Sequence, residues 1–249
     1  MIPVQNLAET RTPDGSRFSL HEHDGEYFLK LNGLQLMSTT WTLSERLLAD
    51  YSFPPDAGLA KKGKFRVLIG GMGLGYSLKR VLELVGPHAE VVVAELLPEV
   101  IEWNREFLGD INGKLMDDPR VTIFIGDVYE SIRKSAEKKA KPFHAMLLDT
   151  DNGPSSLVQP QNGQMYDRDG LSAIWNALTP GGRVAFWAAT REQGLEKPLS
   201  RGGFTTEWHS VKAHERAKQA IHRIYVGERP MENSAPAAPM GRKKRPRRR

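Results

Sequence analysis

Between residues 65 and 189, five short apolar runs are separated by four segments of helical spacing. The runs are FRVLIGG, AEVVVAEL, RVTIFIGD, FHAMLLD and GRVAFWAA. Between them lie YSLKRVLELV, PEVIEWNREFL, VYESIRKSAEKKA and GLSAIWNAL. Strands this continuously apolar are buried on both faces, and that requires a parallel sheet with helices as crossovers. The chain is therefore read as α/β and Rossmann-like. Pro98 fits the first turn of its helix, where no N–H is needed.

The flanks differ from this centre. Residues 1–50 carry turn signals at Asp14-Gly15, Asp24-Gly25 and Asn32-Gly33, with partly alternating segments between them, and are read as β-hairpins. TLSERLLAD begins a helix, with Thr42 and Glu45 spaced as a capping box. After residue 203, FTTEWHSVKAHE and AIHRIYVGE follow one another without a helix and are expected to form a terminal antiparallel pair. The expected division is 1–50 as the hairpin region and helix start, 51–229 as the nucleoside-binding domain, and 230–249 as a disordered basic tail. The 249 residues suffice for one large domain with a small appendage.

Net charge is +5, from 35 basic and 30 acidic residues. Seven of the basic residues lie in the last nine, GRKKRPRRR, so the remainder has 28 basic against 30 acidic residues, or −2. The body is not read as a nucleic-acid surface; only the tail, 241–249, offers one. No apolar run approaches a membrane span, and the first residues lack the pattern of a signal peptide. The absence of cysteine excludes disulfides and thiolate chemistry and fits a reducing, cytoplasmic setting.

In an open parallel sheet, ligands sit beyond the carboxyl ends of the strands. The first central strand ends in GGMGLG, with Gly70, Gly71, Gly73 and Gly75, where glycine lets a ligand approach backbone N–H groups. The second ends at Glu95, placed to accept from both ribose hydroxyls. The third ends at Gly126-Asp127, and the fourth at Asp149, followed by Thr150 and Asp151. Any one acid there is a possible helix cap. Together they describe an electronegative pocket suited to a ribose, an amine-bearing base edge and a cationic tail. A polyphosphate would require Lys or Arg, and no GK[ST] follows the glycines. A dinucleotide fingerprint is also excluded, since Tyr76 stands where its last glycine belongs. An ordinary methyltransferase turn carries an acid where this chain has Ile69.

From about Asn32 to Gly227 the chain resembles the spermidine synthase (polyamine aminopropyltransferase) family, within the larger S-adenosylmethionine methyltransferase fold. NGLQ (32–35) resembles DGxxQ, VLIGGMGLG resembles VLIIGGGDGG, and VVVAELLPEVIEWNREFL resembles the segment that carries the ribose acid. FHAMLLDTDNGP resembles YDVIIVDSSDPxGP. DDPRVTIFIGDVYESI (117–132) is the most specific match. The resemblance implies a methyltransferase-type sheet preceded by a small hairpin domain, and commonly a homodimer. It implies Glu95 at the ribose, Asp127 at the adenine amine, Gln35 at the nucleoside, and Asp149 where an attacking amine is bound and deprotonated. Three places depart: the turn aspartate is Gly73, the second Asp of DxxD falls on Asn152 beside Asp151, and YHE is LSE, which leaves Glu45.

The implied reaction is aminopropyl transfer from decarboxylated S-adenosylmethionine to a small-molecule amine, with no metal. A methyltransferase using S-adenosylmethionine itself, or a silent nucleoside-binding protein, are the alternatives. Asp149 or Asp151 would take the proton of the attacking amine, whose free pKa is near ~10.4.

His21 and His23 share a strand face without a third ligand. Trp175 and Trp208 lie in apolar elements and are read as core; Trp187 ends the fifth strand and either packs or lines the acceptor end. Tyr166 and Asp167 lie in QNGQMYDRDG, read as a cover over the site or a connector.

Overall fold

The computed structural model describes residues 3–53, 63–137, 141–150, 153–157, 160–192 and 194–231. Asp151, Asn152 and the tail 241–249 lie outside them.

Four strands form the first sheet: β1 (Gln5–Arg11), β2 (Arg17–His23), β3 (Glu26–Leu31) and β4 (Leu34–Ser38), antiparallel in chain order. The tight turns follow from their residues, since Asp24 (φ 51) and Asn32 (φ 49) are the two positive-φ residues other than glycine among the described residues, and Gly25 and Gly33 follow them. Helix α1 (Leu43–Ser52) then crosses to the second sheet. Its expected capping box does not form: Thr42 has helical backbone angles and makes no side-chain cap. Glu45 is buried instead, with Ser44 Oγ donating to its Oε2 at 2.8 Å.

The second sheet contains β5 (Arg66–Gly70), β6 (Glu90–Glu95), β7 (Val121–Ile125), β8 (Phe143–Leu148), β9 (Leu178–Ala188), β10 (Thr205–Val211) and β11 (His222–Glu228). Its order is β10-β11-β9-β8-β5-β6-β7. The pairs from β9 to β7 are parallel, and β11 and β10 add the expected antiparallel pair. The crossovers use α2 (Tyr76–Leu84), α3 (Pro98–Phe107), α5 (Val128–Ala136) and α6 (Arg168–Ala177). Two short helices, α4 (Gly109–Asn112) and α7 (Glu196–Arg201), have no counterpart in the periodicity. Strand β9 begins at Leu178, before GRVAFWAA: Leu178 pairs with Phe143, and after a register shift Arg183 pairs with Ala145.

Each face of this sheet has its own core. Val67, Ile69, Val91, Val93 and Leu147 point to one side with α1–α3 and the first sheet. Leu68, Met146, Leu148 and Phe186 point to the other, against α5 and α6. The first sheet docks through Phe18, stacked on Trp103 of α3 at 6.0 Å, and through Thr10 Oγ1, which donates to Glu99. Trp208 departs from the core expectation: β10 is an edge strand, and its indole is 45% exposed beneath Arg223. Trp175 packs edge-on against Phe204. His21 Nε2 lies 2.9 Å from Ser19 Oγ and its ring stacks on Phe28; among the described residues no cluster of three His, Cys, Asp or Glu side chains is placed to hold a metal.

Candidate functional site

Strand register sets the site. Gly70 pairs with Ala94 on one side and Leu148 on the other, Glu95 with Ile125, and Leu148 with Phe186. Gly71, Glu95, Asp149 and Trp187 therefore stand at one level at the carboxyl ends of their strands, with Asp127 two residues beyond Ile125. The chain order reverses between β5 and β8, which makes this rim the switch point of the sheet. A cavity of about 520 Å³ opens above it, within the range of small-molecule sites. The strand ends form its floor, while Phe18, Leu29 and the Leu34–Met37 stretch of the first sheet form a wall.

The glycine turn is held tightly. Gly71 has φ +89, which a side chain rarely adopts, and a β-carbon there would lie 2.7 Å from the carbonyl oxygen of Asp149. Gly73 has φ +50, and the place of its β-carbon is taken by Met37 Sδ, 2.8 Å away. Gly75 (φ 87) is the N-cap of α2. Two buried amides clamp the turn: Asn104 Nδ2 donates to Gly73 O at 2.8 Å, and Asn112 Nδ2 donates to Leu74 O. Met37 and these amides are the parts sequence reasoning missed. Asn104 had a signal, a polar residue on the buried stripe formed by Val100, Ile101 and Trp103.

Glu95 is buried beneath the turn. Its Oε2 accepts from Met72 N at 2.7 Å and its Oε1 from Leu97 N at 2.9 Å. Burial pushes its carboxyl above the ordinary glutamate range, while these backbone donors pull it back. Asp127 is a helix cap that also borders the cavity. Its Oδ1 caps α5 through Tyr129 N at 2.8 Å, and its Oδ2 lies 3.4 Å from Gln164 Nε2 at the cavity. Gln35 lines the mouth from β4.

Asp149 lines the opposite side, beside Glu45 of α1. Burial first, and then the negative charge of Asp149, push the Glu45 carboxyl up to about 8. Trp187 also borders the cavity, tilted against His222 at 4.9 Å, and its buried Nε1 has no hydrogen-bond partner among the described residues. Of QNGQMYDRDG, Gln161 and Asn162 reach the cavity. Met165 enters the core, Tyr166 packs on Phe186, and Asp167 caps α6 through Gly170 N.

The DPR of the most specific motif lies away from the cavity. Arg120 pairs with Asp118 at 2.7 Å, and its Nη1 donates to Leu82 O and Val85 O at the end of α2. This guanidinium satisfies carbonyls that a helix end leaves open.

The described lining thus holds four carboxylates, Glu45, Glu95, Asp127 and Asp149, and neither lysine nor arginine. Fold and site together define an α/β protein of the methyltransferase-like class, with an acid-lined pocket at its switch point. Solved structures share the fold. A spermidine synthase in complex with the transition state analogue AdoDATO aligns with a TM-score of 0.66 at 18% identity, covering 92% of this chain and 73% of that one. The spermidine synthase of Thermotoga maritima aligns at 0.68 and 17%, with the same coverage, and human methyltransferase-like protein 13 in complex with SAH at 0.57 and 19%, covering 78% and 85%.

Residues 57–198 match the spermine/spermidine synthase domain, and the chain belongs to that family. It is similar to the polyamine aminopropyltransferase of Mycobacterium tuberculosis, 31% identical over 128 residues, and to that of Korarchaeum cryptofilum, 30% identical over 161. These matches cover 51% and 65% of this chain but 23% and 44% of the two relatives, so the likeness spans a quarter to under half of their length.

Proposed function

We propose that the cavity binds decarboxylated S-adenosylmethionine and that the protein transfers its aminopropyl group to a small-molecule amine, as a transferase of polyamine biosynthesis. The observation that carries this reading is the charge of the lining: four carboxylates with no lysine or arginine among the described lining residues. Such a pocket favours cations and amines and repels phosphates. Membership of the spermine/spermidine synthase family supports the same conclusion.

In this reading the backbone of Gly71, Gly73 and Gly75 lies against the donor. Glu95, held beneath the turn by backbone N–H donors, accepts from the ribose hydroxyls. Asp127 Oδ2 takes the adenine amine while Oδ1 keeps the helix cap. Gln35 closes the nucleoside end. The donor's sulfonium supplies a good leaving group, so the chain's work is alignment and proton removal. Asp149 holds the acceptor amine and takes its proton as the nitrogen forms its bond to carbon; the carbon–sulfur bond breaks with its electron pair going to sulfur. Asp151, two residues further along the sequence, is the second candidate for that proton. The acceptor enters past Trp41, Trp187 and His222, which border the same cavity. The hairpin sheet (1–50) acts as a cover on the nucleoside-binding part (51–229), the protein works as a cytoplasmic homodimer, and any nucleic-acid contact runs through the basic tail (241–249) alone.

The test is direct. The protein is incubated with each donor and a panel of amines, and products are read by mass spectrometry. Aminopropylated amines are expected. Methylated products would replace this reading with a methyltransferase, and nucleoside binding without any product would leave a silent binding protein.

A further inference from the structure

A small recess of about 10 Å³ adjoins the cavity at the glycine turn, and Met37, Glu45, Gly71, Gly73 and Asp149 border both. The turn contributes no charge there. Residue 73 is glycine, and the space a side chain would enter is filled by the thioether of Met37, with Sδ at 2.8 Å and Cε at 3.1 Å from the β-carbon position. The charges bordering the recess are Glu45 and Asp149, one from α1 and one from the end of β8.

Aminopropyl transfer brings two amines together, one on the acceptor and one at the end of the donor's tail. Asp149 serves the acceptor. The remaining acid is Glu45, whose Oε2 accepts from Ser44 Oγ at 2.8 Å. A carboxylate offers about four acceptor positions, so it retains capacity for a cationic donor. Burying a carboxylate beside a second one is unfavourable unless a cation offsets it. Burial and Asp149 hold the Glu45 carboxyl up at about 8, as this crowding requires. An ammonium group entering the recess relieves both carboxylates. A tail that also bears a carboxylate brings a third negative charge and is rejected.

We propose that Glu45 is the counter-charge for the ammonium end of the donor's tail, a role Gly73 cannot fill, and that with Asp149 it selects a decarboxylated donor over S-adenosylmethionine. This rests on the nucleoside-donor reading of the cavity given above.

Isothermal titration of the full-length protein with three probes tests it: methylthioadenosine, decarboxylated S-adenosylmethionine and S-adenosylmethionine. The wild type should bind the decarboxylated donor most tightly and S-adenosylmethionine most weakly. Glu45→Gln should weaken the decarboxylated donor by ~10-fold or more, shift methylthioadenosine by less than ~3-fold, and narrow the preference against S-adenosylmethionine. Methylthioadenosine doubles as the folding control. If Glu45→Gln loses that site as well, Glu45→Asp, which keeps the charge but withdraws it by one methylene, should still reduce the preference. An unchanged preference in the folded variant overturns the assignment, as does a wild type that binds S-adenosylmethionine as tightly as its decarboxylated form. A wild type that binds none of the three overturns the donor reading itself, and this inference with it.

Discussion

The carbonyl oxygen of Asp149 lies 2.7 Å from the point where a β-carbon on Gly71 would stand. The glycine turn and the strand end bearing the proposed base are therefore packed backbone to backbone. Any side chain at 71 must push β5 and β8 apart at the floor of the cavity. Gly71→Ala is expected to lose ~1–3 kcal/mol of stability from the positive φ and the clash. Methylthioadenosine affinity should fall at least ~10-fold, and calorimetry with thermal unfolding checks both. Normal binding by Gly71→Ala would show that the turn does not face the ligand.

Asp149→Asn keeps the shape of the strand end and removes the proton acceptor. Nucleoside binding should remain within about threefold of wild type while turnover falls by ~10²–10⁴. Wild-type turnover in this variant would remove Asp149 from its role and leave Asp151 as the candidate.

Glu45 makes the stability of the ligand-free protein depend on pH. Its carboxyl sits at about 8 when folded against 4.5 as the ordinary value, raised by burial and then by Asp149. The groups facing it are Asp149 and Tyr76, whose phenol is itself raised, by burial and then by Glu45. A raised acid favours folding in its protonated form. The contribution is complete below about pH 4.5 and is lost as pH rises through about 8. Unfolding free energy should therefore fall across that window by up to ~1.4 kcal/mol per pH unit, and Tm with it. Burial at Glu95 adds a slope of the same sign. Differential scanning calorimetry from pH 5 to 9 checks this; Glu45→Gln should be flatter than wild type, and parallel curves would contradict the pairing.

Arg120 is expected to be a structural residue despite lying in the family's most specific motif. Arg120→Ala removes the donors to Leu82 O and Val85 O and strands Asp118, whose carboxyl is held low by the guanidinium. The partial exposure of the pair limits the cost to ~1–3 kcal/mol. Chemical denaturation should register this loss, while turnover per folded molecule stays near wild type. A large fall in turnover at full folding would place the motif in the site after all.

The sheet was legible in the sequence because its strands are buried on both faces and its helices on one, so each period is written by the core. The strand-end acids were legible for the same reason: Glu95, Asp127 and Asp149 fall where apolar runs stop. Glu45 reads in the sequence as half of a capping box, because the three-residue spacing of Thr42 and Glu45 carries no information about which way α1 faces. Met37 and Asn112 were missed because they approach the turn from 36 and 37 residues away from Gly73 and Gly75, by docking rather than by local pattern. Trp208 looked like core from composition alone, since an edge strand and a central one read alike until the partners are known.

The level at which the strands end has a consequence for how such a protein changes over time. Glu95, Asp127 and Asp149 owe their positions to hydrogen-bonded register between β5, β6, β7 and β8, which the core enforces along each strand's length. The Leu34–Met37 edge, Trp41 and the Pro160–Met165 turn reach the cavity from outside that ladder. Insertions or exchanges in these outer segments can remodel the aperture while the acids stay fixed. The grip is inherited with the scaffold, and the choice of guest is free to drift.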